Sequence, residues 1–210
     1  MKPLLSVIDH LVYITSNLDN TVRDLEKRFG VRAAIGGQHP RWGTRNALLA
    51  LGPRVYLEIM GPDGSPKDPE RRRPFGIDRL DRPCLATWVA YSDDLLRIAS
   101  LAKAENVDLG EVLPGSRSRP DGSLLQWIMT DLTKDRESGT IPYFIDWGDS
   151  PHPAATAPKG CTLSGLRVFH PEAERITHVL WKLGIDLPVG EGAPSLEATI
   201  ESPKGTVDLS

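Results

Sequence analysis

The sequence predicts an α+β protein assembled from repeated β-α-β-β-β modules. Two observations carry this. The order strand, helix, three strands is readable over residues 5–62, again over 83–148, and in shortened form over 161–210. The junction "KRFGVRAAIGG" of the first stretch is also matched in kind by "WKLGIDLPVGEG" of the third: helix end, glycine, β-branched residue, short strand, glycines. Internal repetition of this kind is read before local detail, because missing it misassigns the whole fold.

In the first module, "LSVIDHLVYIT" alternates and is β-rich, so it reads as a strand. "SNLDNTVRDLEKRFG" reads as a helix. Ser16 or Asn17 can cap it, Leu18, Val22, Leu25 and Phe29 recur at helical spacing, and Gly30 suits the position just past its end. "VRAAIGG", "TRNALLALG" and "RVYLEIMG" read as three strands, the last two joined by a turn at Gly52-Pro53. In the second module "PCLATWVAYS" is a strand and "DDLLRIASLAKAEN" a helix with Asp93 or Asp94 near its start. "VDLGEVLPG", "GSLLQWIMTD" and "IPYFIDWG" are strands. The third gives "TLSGLRVFH", the helix "PEAERITHVLWKLG" with Pro171 suited to its first turn, then "IDLPVGEG", "SLEATIES" and "GTVDLS". Residues 63–82 and 149–160, rich in proline and polar groups, read as connectors.

The 210 residues, 40% hydrophobic and 25% charged, suit a soluble globular chain that can bury a core. A net charge of −3 gives no reason to expect nucleic acid or a membrane surface as partner. The arginines of "PERRRPFGIDRLDRP" have acids among them and read as a solvated loop. Cys84 and Cys161 form neither a disulfide framework nor a zinc knuckle, which suits a reducing cytoplasm. The amino terminus lacks the marks of a signal peptide, and no apolar run approaches the ~20 residues of a membrane span. P-loop, GxGxxG, GxSxG and HExxH motifs are absent from the sequence. A small-molecule ligand remains the expected partner, with monomer and homodimer both open.

Tandem modules that begin "DHLVY" and close "YLEIM" resemble the vicinal-oxygen-chelate superfamily of glyoxalase I, extradiol dioxygenases and bleomycin- and fosfomycin-resistance proteins. The run "DHLVYIT…LDNTVRDLEKRFGV…GGQHPRWGTRNALLALGPRVYLEIMGPD" is similar, more narrowly, to the glyoxalase-like domain family within it. The resemblance implies a cupped mixed sheet with helices outside, the vicinal-oxygen-chelate fold, around one site. It also implies metal ligands on the first and fourth strands of each module.

Strand alternation puts Ile8, His10, Val12 and Ile14 on one face, and Tyr56, Glu58 and Met60 on one face of the fourth strand. His10 and Glu58 match the ligand positions that the resemblance implies. Imidazole and carboxylate suit Zn, Fe, Mn, Ni or Co. The corresponding places hold Thr87 and Ile145 in the second module, and Gly165 and Asp208 in the third, so the usual second pair of ligands is missing. His39 is the best further candidate; its plainer reading is an exposed loop histidine. Without an ion, His10 and Glu58 would simply hydrogen-bond each other.

"HPRWGTRN" and "SRSRPDGS" occupy matching places between second and third strands. They nominate His39, Trp42, Thr44, Asn46, Arg117 and Arg119 for substrate contact, the arginines through bidentate pairing with an acid. Trp127 and Trp147 offer aromatic walls, and Asn46 or Gln126 an amide, although tryptophans more often serve packing. His152 reads as exposed, His170 as serving a turn and His178 as mid-helix.

Two functions follow from this reading. One is a metal-dependent enzyme, a lyase, isomerase or dioxygenase, that stabilises vicinal oxygens of a small metabolite by Lewis acidity, with Glu58 alternatively a general base. The other is a metal-free binding or sequestering protein of the bleomycin-resistance type, suggested by the missing ligand pair and the apolar Tyr143–Ile145–Trp147 face.

Overall fold

A computed structural model describes residues 4–65, 73–118, 122 and 124–210. A single helical turn, α1 (Leu4–Val7), precedes the first strand, so the extended run begins at Ile8 and not at Leu5. The first module is β1 (Ile8–Ile14), α2 (Leu18–Phe29), β2 (Ala34–His39), β3 (Thr44–Gly52) and β4 (Val55–Pro62). The second is β5 (Cys84–Tyr91), α3 (Leu95–Ala104), β6 (Val112–Ser118), β7 (Leu124–Thr130) and β8 (Tyr143–Asp146).

These eight strands close into one cupped barrel of order β1-β4-β3-β2-β6-β7-β8-β5, the vicinal-oxygen-chelate fold. The modules meet along two seams of unequal strength. β1 pairs antiparallel with β5 through six register positions, from Ile8↔Ala90 to Ile14↔Cys84. On the far side, among the described residues, β2 pairs with β6 at Gln38↔Ser118. Within each module the first strand runs parallel to the fourth, with Val12 opposite Glu58 and Val89 opposite Tyr143.

The strand period of two sorts the core into layers. Leu11, Tyr13, Leu49, Leu51, Leu57 and Ile59 point outward into a cluster with Leu18, Val22, Leu25 and Phe29 of α2. Each such side chain contributes about 2 kcal/mol on burial. Val12, Ile14, Leu48, Tyr56, Met60, Ile145 and Trp147 point inward. α2 starts where Asn17 accepts a hydrogen bond from the Asn20 amide and stops at Gly30, whose φ of 77° admits the left-handed cap.

The carboxy-terminal residues form β9 (Thr162–Phe169), α4 (Ala173–Lys182), β10 (Ser195–Ser202) and β11 (Gly205–Leu209), a separate sheet of order β11-β10-β9. Leu163, Leu166, Ile176, Leu180 and Leu196 join the outer cluster, so this unit buttresses the barrel from outside. The strand expected at "IDLPVGEG" does not form. Pro188 has no amide to donate, and Gly190 passes so close to Phe169 that a Cβ there would meet its Cδ1 at 2.7 Å; isolated bridges at Ile185 and at Gly190, the latter to Phe169, stand in place of a strand. The strand expected over "VDLGEVLPG" starts late, at Val112. Gly110 turns the chain with φ of 64°, and buried Arg136 takes the carbonyls of Asp108 and Leu109 that a ladder would have used.

Candidate functional site

The barrel encloses a cavity of about 330 Å³, with apolar walls from Val12, Met60, Val89, Leu113, Ile145 and Trp147. On the first-module side β1, β2, β3 and β4 bring His10, His39, Asn46 and Glu58 together, while the second module adds Ser116, Arg117, Thr130 and Asp131 to the lining.

Glu58 lies between two imidazoles. Nε2 of His10 is 3.7 Å from one carboxylate oxygen and Nε2 of His39 is 3.9 Å from the other. Neither distance is a hydrogen bond. The close partner of Glu58 is Asn46, whose Nδ2 donates to Oε1 at 2.6 Å. The Asn46 amide oxygen accepts from the Gly37 amide at 2.9 Å and from Nη1 of Arg117 at 3.4 Å. Arg117 is buried and makes no ion pair among the described residues. Gly36 leaves the room for this arrangement: a Cβ there would stand 2.3 Å from Asn46 Oδ1 and 2.4 Å from Arg117 Nη1.

His39 is not an exposed loop residue. It ends β2, lines the cavity, and its Nδ1 contacts Thr44 Oγ1 at 3.1 Å. Burial holds its pKa below the ordinary value; the charge of Glu58 opposes this, and those of Arg117 and His10 add to it. Thr44 sits behind His39 and does not reach the cavity lining. Trp42 and Trp127 line the cavity, Trp127 tilted against Trp147 at 5.2 Å between ring centroids. Gln126 faces outward, so the cavity's amide is that of Asn46. Arg119 lies outside the described residues. Ile145 lines the cavity as a bare apolar wall, and Thr87 turns its hydroxyl to the Gly139 carbonyl at 3.2 Å. Gly165 and Asp208 belong to the outer sheet, away from the cavity.

Two residues were missed. A β-bulge interrupts the β1–β5 pairing between Ile8 and His10, and it breaks the alternation expected there. Ile8 joins the outer core, and Asp9 swings to the cavity side beside His10. Its buried carboxylate accepts from His10 Nδ1 at 2.7 Å, Trp147 Nε1 at 3.0 Å and His152 Nε2 at 3.2 Å. Burial pushes its pKa up, but the hydrogen bonds and charges of His10 and His152 outweigh that and hold it at about 2. His152 is therefore buried, not exposed as the sequence suggested. The available signal was the acid itself, placed in an apolar strand where it could not go unpaired. His170 serves its turn by accepting from the Glu172 amide.

The donors have the chemistry for a divalent cation, and their number is small. His10 Nδ1 faces a carboxylate, which leaves Nε2 as the ligand atom, and Glu58 keeps Oε2 free of hydrogen bonds to described residues. No group of three or more His, Cys, Asp or Glu converges as a metal cage among the described residues. His10 Nε2 and Glu58 Oε2 are thus two candidate donors, one short of the three protein ligands usual in an open catalytic site and two short of the four of a closed structural one.

The family model described as "glyoxalase-like domain" matches residues 8–184, and the chain belongs to that family, within the vicinal-oxygen-chelate superfamily. A hypothetical protein from Staphylococcus aureus superposes with a TM-score of 0.68 at 13% identity, covering 96% of this chain and 97% of its own. Methylmalonyl-CoA epimerase from Mycobacterium tuberculosis aligns with a TM-score of 0.44 at 17% identity over 74% of this chain and 96% of its own. A variant of the Streptomyces coelicolor methylmalonyl-CoA epimerase, in complex with 2-nitronate-propionyl-CoA, gives 0.47 at 16% identity over 70% and 98%. No curated protein matches the sequence. Among the described residues no helix is long and apolar enough to cross a membrane.

Proposed function

We propose that this chain is an enzyme acting on a small, oxygenated, anionic metabolite bound inside the barrel. One observation carries the reading: Glu58, two imidazoles and the Arg117 guanidinium converge in a cavity whose remaining lining is mostly apolar, with Arg41, Ser116, Thr130 and Asp131 among its other polar groups. Apolar pockets with a few convergent polar groups are the usual form of small-molecule sites. Burying that many ionisable groups is costly unless they have work to do.

The chain's own residues divide the task. Arg117 receives the acidic group of the substrate, since a guanidinium matches a carboxylate through two parallel hydrogen bonds. Trp42, Trp127 and Trp147 exclude water, which strengthens each polar contact inside. Asn46 holds one oxygen of Glu58 still. When its other oxygen is free of a ligand role, Glu58 serves there as the general base, taking a proton from the carbon next to the substrate carbonyl and returning it to that carbon or its neighbour. His10 and Glu58 would hold a divalent cation, Zn, Fe, Mn, Ni or Co, which when bound supplies Lewis acidity to vicinal oxygens. His39 is the candidate for a third ligand or a substrate contact. The proton transfer by Glu58 is isomerase chemistry, whereas a bound ion would equally serve a lyase or a dioxygenase, and a cytoplasmic setting suits the free thiols of Cys84 and Cys161.

A second reading has its own support. Thr87 and Ile145 offer no metal ligands at the second-module positions, and Ile145 and Trp147 make the β8 side of the cavity apolar. This would serve a metal-free protein that sequesters an apolar ligand. Elemental analysis of protein purified without chelators or affinity-tag metals separates the two. The enzyme reading in its metal form expects a bound ion and a Tm rise with Mn, Fe, Co, Ni or Zn that H10A and E58Q abolish. No stoichiometric ion and no Tm rise with any of the five would leave the sequestering reading.

A further inference from the structure

Asp9 and the segment carrying His152 lie outside the roles assigned so far. We propose that Asp9, Trp147 and His152 form a clamp that fixes the tautomer of His10, keeping the proton on Nδ1 and presenting a bare Nε2 to the cavity. The inference rests on His10 and Glu58 being the working pair, and its test is independent of that reading.

The protons around Asp9 can be placed one by one. The indole of Trp147 can only donate, and it donates to Oδ2 at 3.0 Å. His152 has Nδ1 occupied as acceptor of the Ala154 amide at 3.2 Å, so its Nε2 bears the proton directed at Oδ2. Two donors that cannot reverse therefore fill one oxygen. The other oxygen faces His10 Nδ1 at 2.7 Å. An ionised carboxylate has acceptors and no proton, so His10 must be the donor. Its Nε2 then carries the lone pair, and it makes no hydrogen bond to a described residue.

Packing holds the ring in that pose. Tyr56 stacks on His10 with centroids 4.6 Å apart and planes 19° apart, and Tyr56 in turn meets the edge of His152 at 5.6 Å. His152 is anchored because the short 3-10 turn after it (Pro153–Ala155) packs on β3 and β4, and the Pro158 carbonyl accepts from the Ala50 amide at 2.9 Å. The connector between the barrel and the outer sheet thereby supports the site from behind, through the contacts of His152 with Asp9 and Tyr56. Asp9 acts through His10 and is a positioning residue; a second carboxylate behind an imidazole both fixes the tautomer and raises the basicity of the far nitrogen.

Long-range ¹H–¹⁵N correlation spectra of protein labelled at histidine, at pH 7.5, read the tautomer directly, with His10 assigned by its loss in H10Q. The clamp expects a protonated Nδ1, its proton shifted downfield by the carboxylate, and an unprotonated Nε2. In D9N the amide oxygen must stay with the two irreversible donors, which turns the amide NH₂ toward His10 Nδ1. His10 is then expected to switch to the Nε2-protonated tautomer. A wild-type spectrum with a proton on Nε2, whether neutral or doubly protonated, overturns the clamp, as does a folded D9N with His10 unchanged. If D9N does not fold, the wild-type tautomer and the downfield Nδ1 proton decide. The expected tautomer in a protein that binds no cation would leave the clamp standing and remove the metal reading.

Discussion

Asn46 holds Glu58: its Nδ2 lies 2.6 Å from Oε1, on neighbouring strands β3 and β4, with both side chains buried in the barrel. Sequence distance is short, and the register sets the contact, since Asn46 stands opposite Met60 and Leu48 opposite Glu58. The bond is diagonal across the ladder, within reach of a long side chain.

Asn46→Ala is expected to lower stability by about 2 kcal/mol, because a hydrogen bond to a charged group is lost inside the barrel. Asn46→Asp puts a second carboxylate where the amide stood. The amide donor is then gone and two acids face each other in a buried site, so Asn46→Asp is expected to lower the Tm more than Asn46→Ala. Differential scanning calorimetry of the two variants at pH 7.5 checks this, and an equal or smaller deficit in Asn46→Asp would count against a carboxylate of Glu58 held by the amide of Asn46.

Gly36→Ala is expected to disturb the same group from the far side. The backbone at Gly36 is not in the left-handed region, so the effect is one of space alone. The new methyl would meet Asn46 Oδ1 at 2.3 Å and Arg117 Nη1 at 2.4 Å, and both side chains must move. Overpacking of this kind costs about 1–3 kcal/mol. Chemical denaturation measures the loss; an unchanged midpoint would mean that Arg117 swings freely and is not held on Asn46.

Much of this arrangement was legible in the sequence, for a physical reason. The inward placing of Glu58 follows from the period of two, which β4 obeys without interruption, and the inward placing of His10 holds beyond the bulge. Asn46 and His39 followed from the same module. What the period could not show was Asp9, because a bulge adds one residue and reverses the parity at that point alone. His152 was hidden for a different reason. It lies 143 residues from Asp9 in a proline-rich stretch that looks solvated, and only closure of the barrel brings the two together. The loop at 107–111 misled because its apolar residues are buried without being paired, their carbonyls taken by Arg136.

Asp9 should also mark the acid limit of the fold. Its native pKa of about 2 lies below the unfolded value of 3.8. The unfolded chain thus takes up the proton first as pH falls. The stabilisation is complete above about pH 4, declines as pH falls toward 2, and is gone below that. A difference of this size corresponds to about 2 kcal/mol. Urea denaturation at pH 5, 3.5 and 2.5 is expected to show that loss in the wild type and a flatter profile in D9N. Parallel profiles for the two proteins would place the acid sensitivity elsewhere.

Arg117 offers the most direct probe of what the cavity takes. Its guanidinium is buried at the end of β6, aligned by one hydrogen bond of 3.4 Å to Asn46, and has no acidic side chain in ion-pair range among the described residues. A cation kept in a low-dielectric site attracts a complementary anion strongly, and removal of one charged hydrogen-bonding partner costs about 1.5–3 kcal/mol. Any member of a panel of small 2-hydroxy- and 2-keto-acids that raises the Tm of the wild type is therefore expected to bind R117Q about 10- to 100-fold more weakly. R117K should recover part of the affinity, since it restores the charge without the planar fork. Isothermal titration with the panel's best member measures all three. Equal affinity in R117Q would show that the acid group docks elsewhere, and preference for uncharged ligands over the acids would return the cavity to the sequestering role that its apolar β8 side suggests.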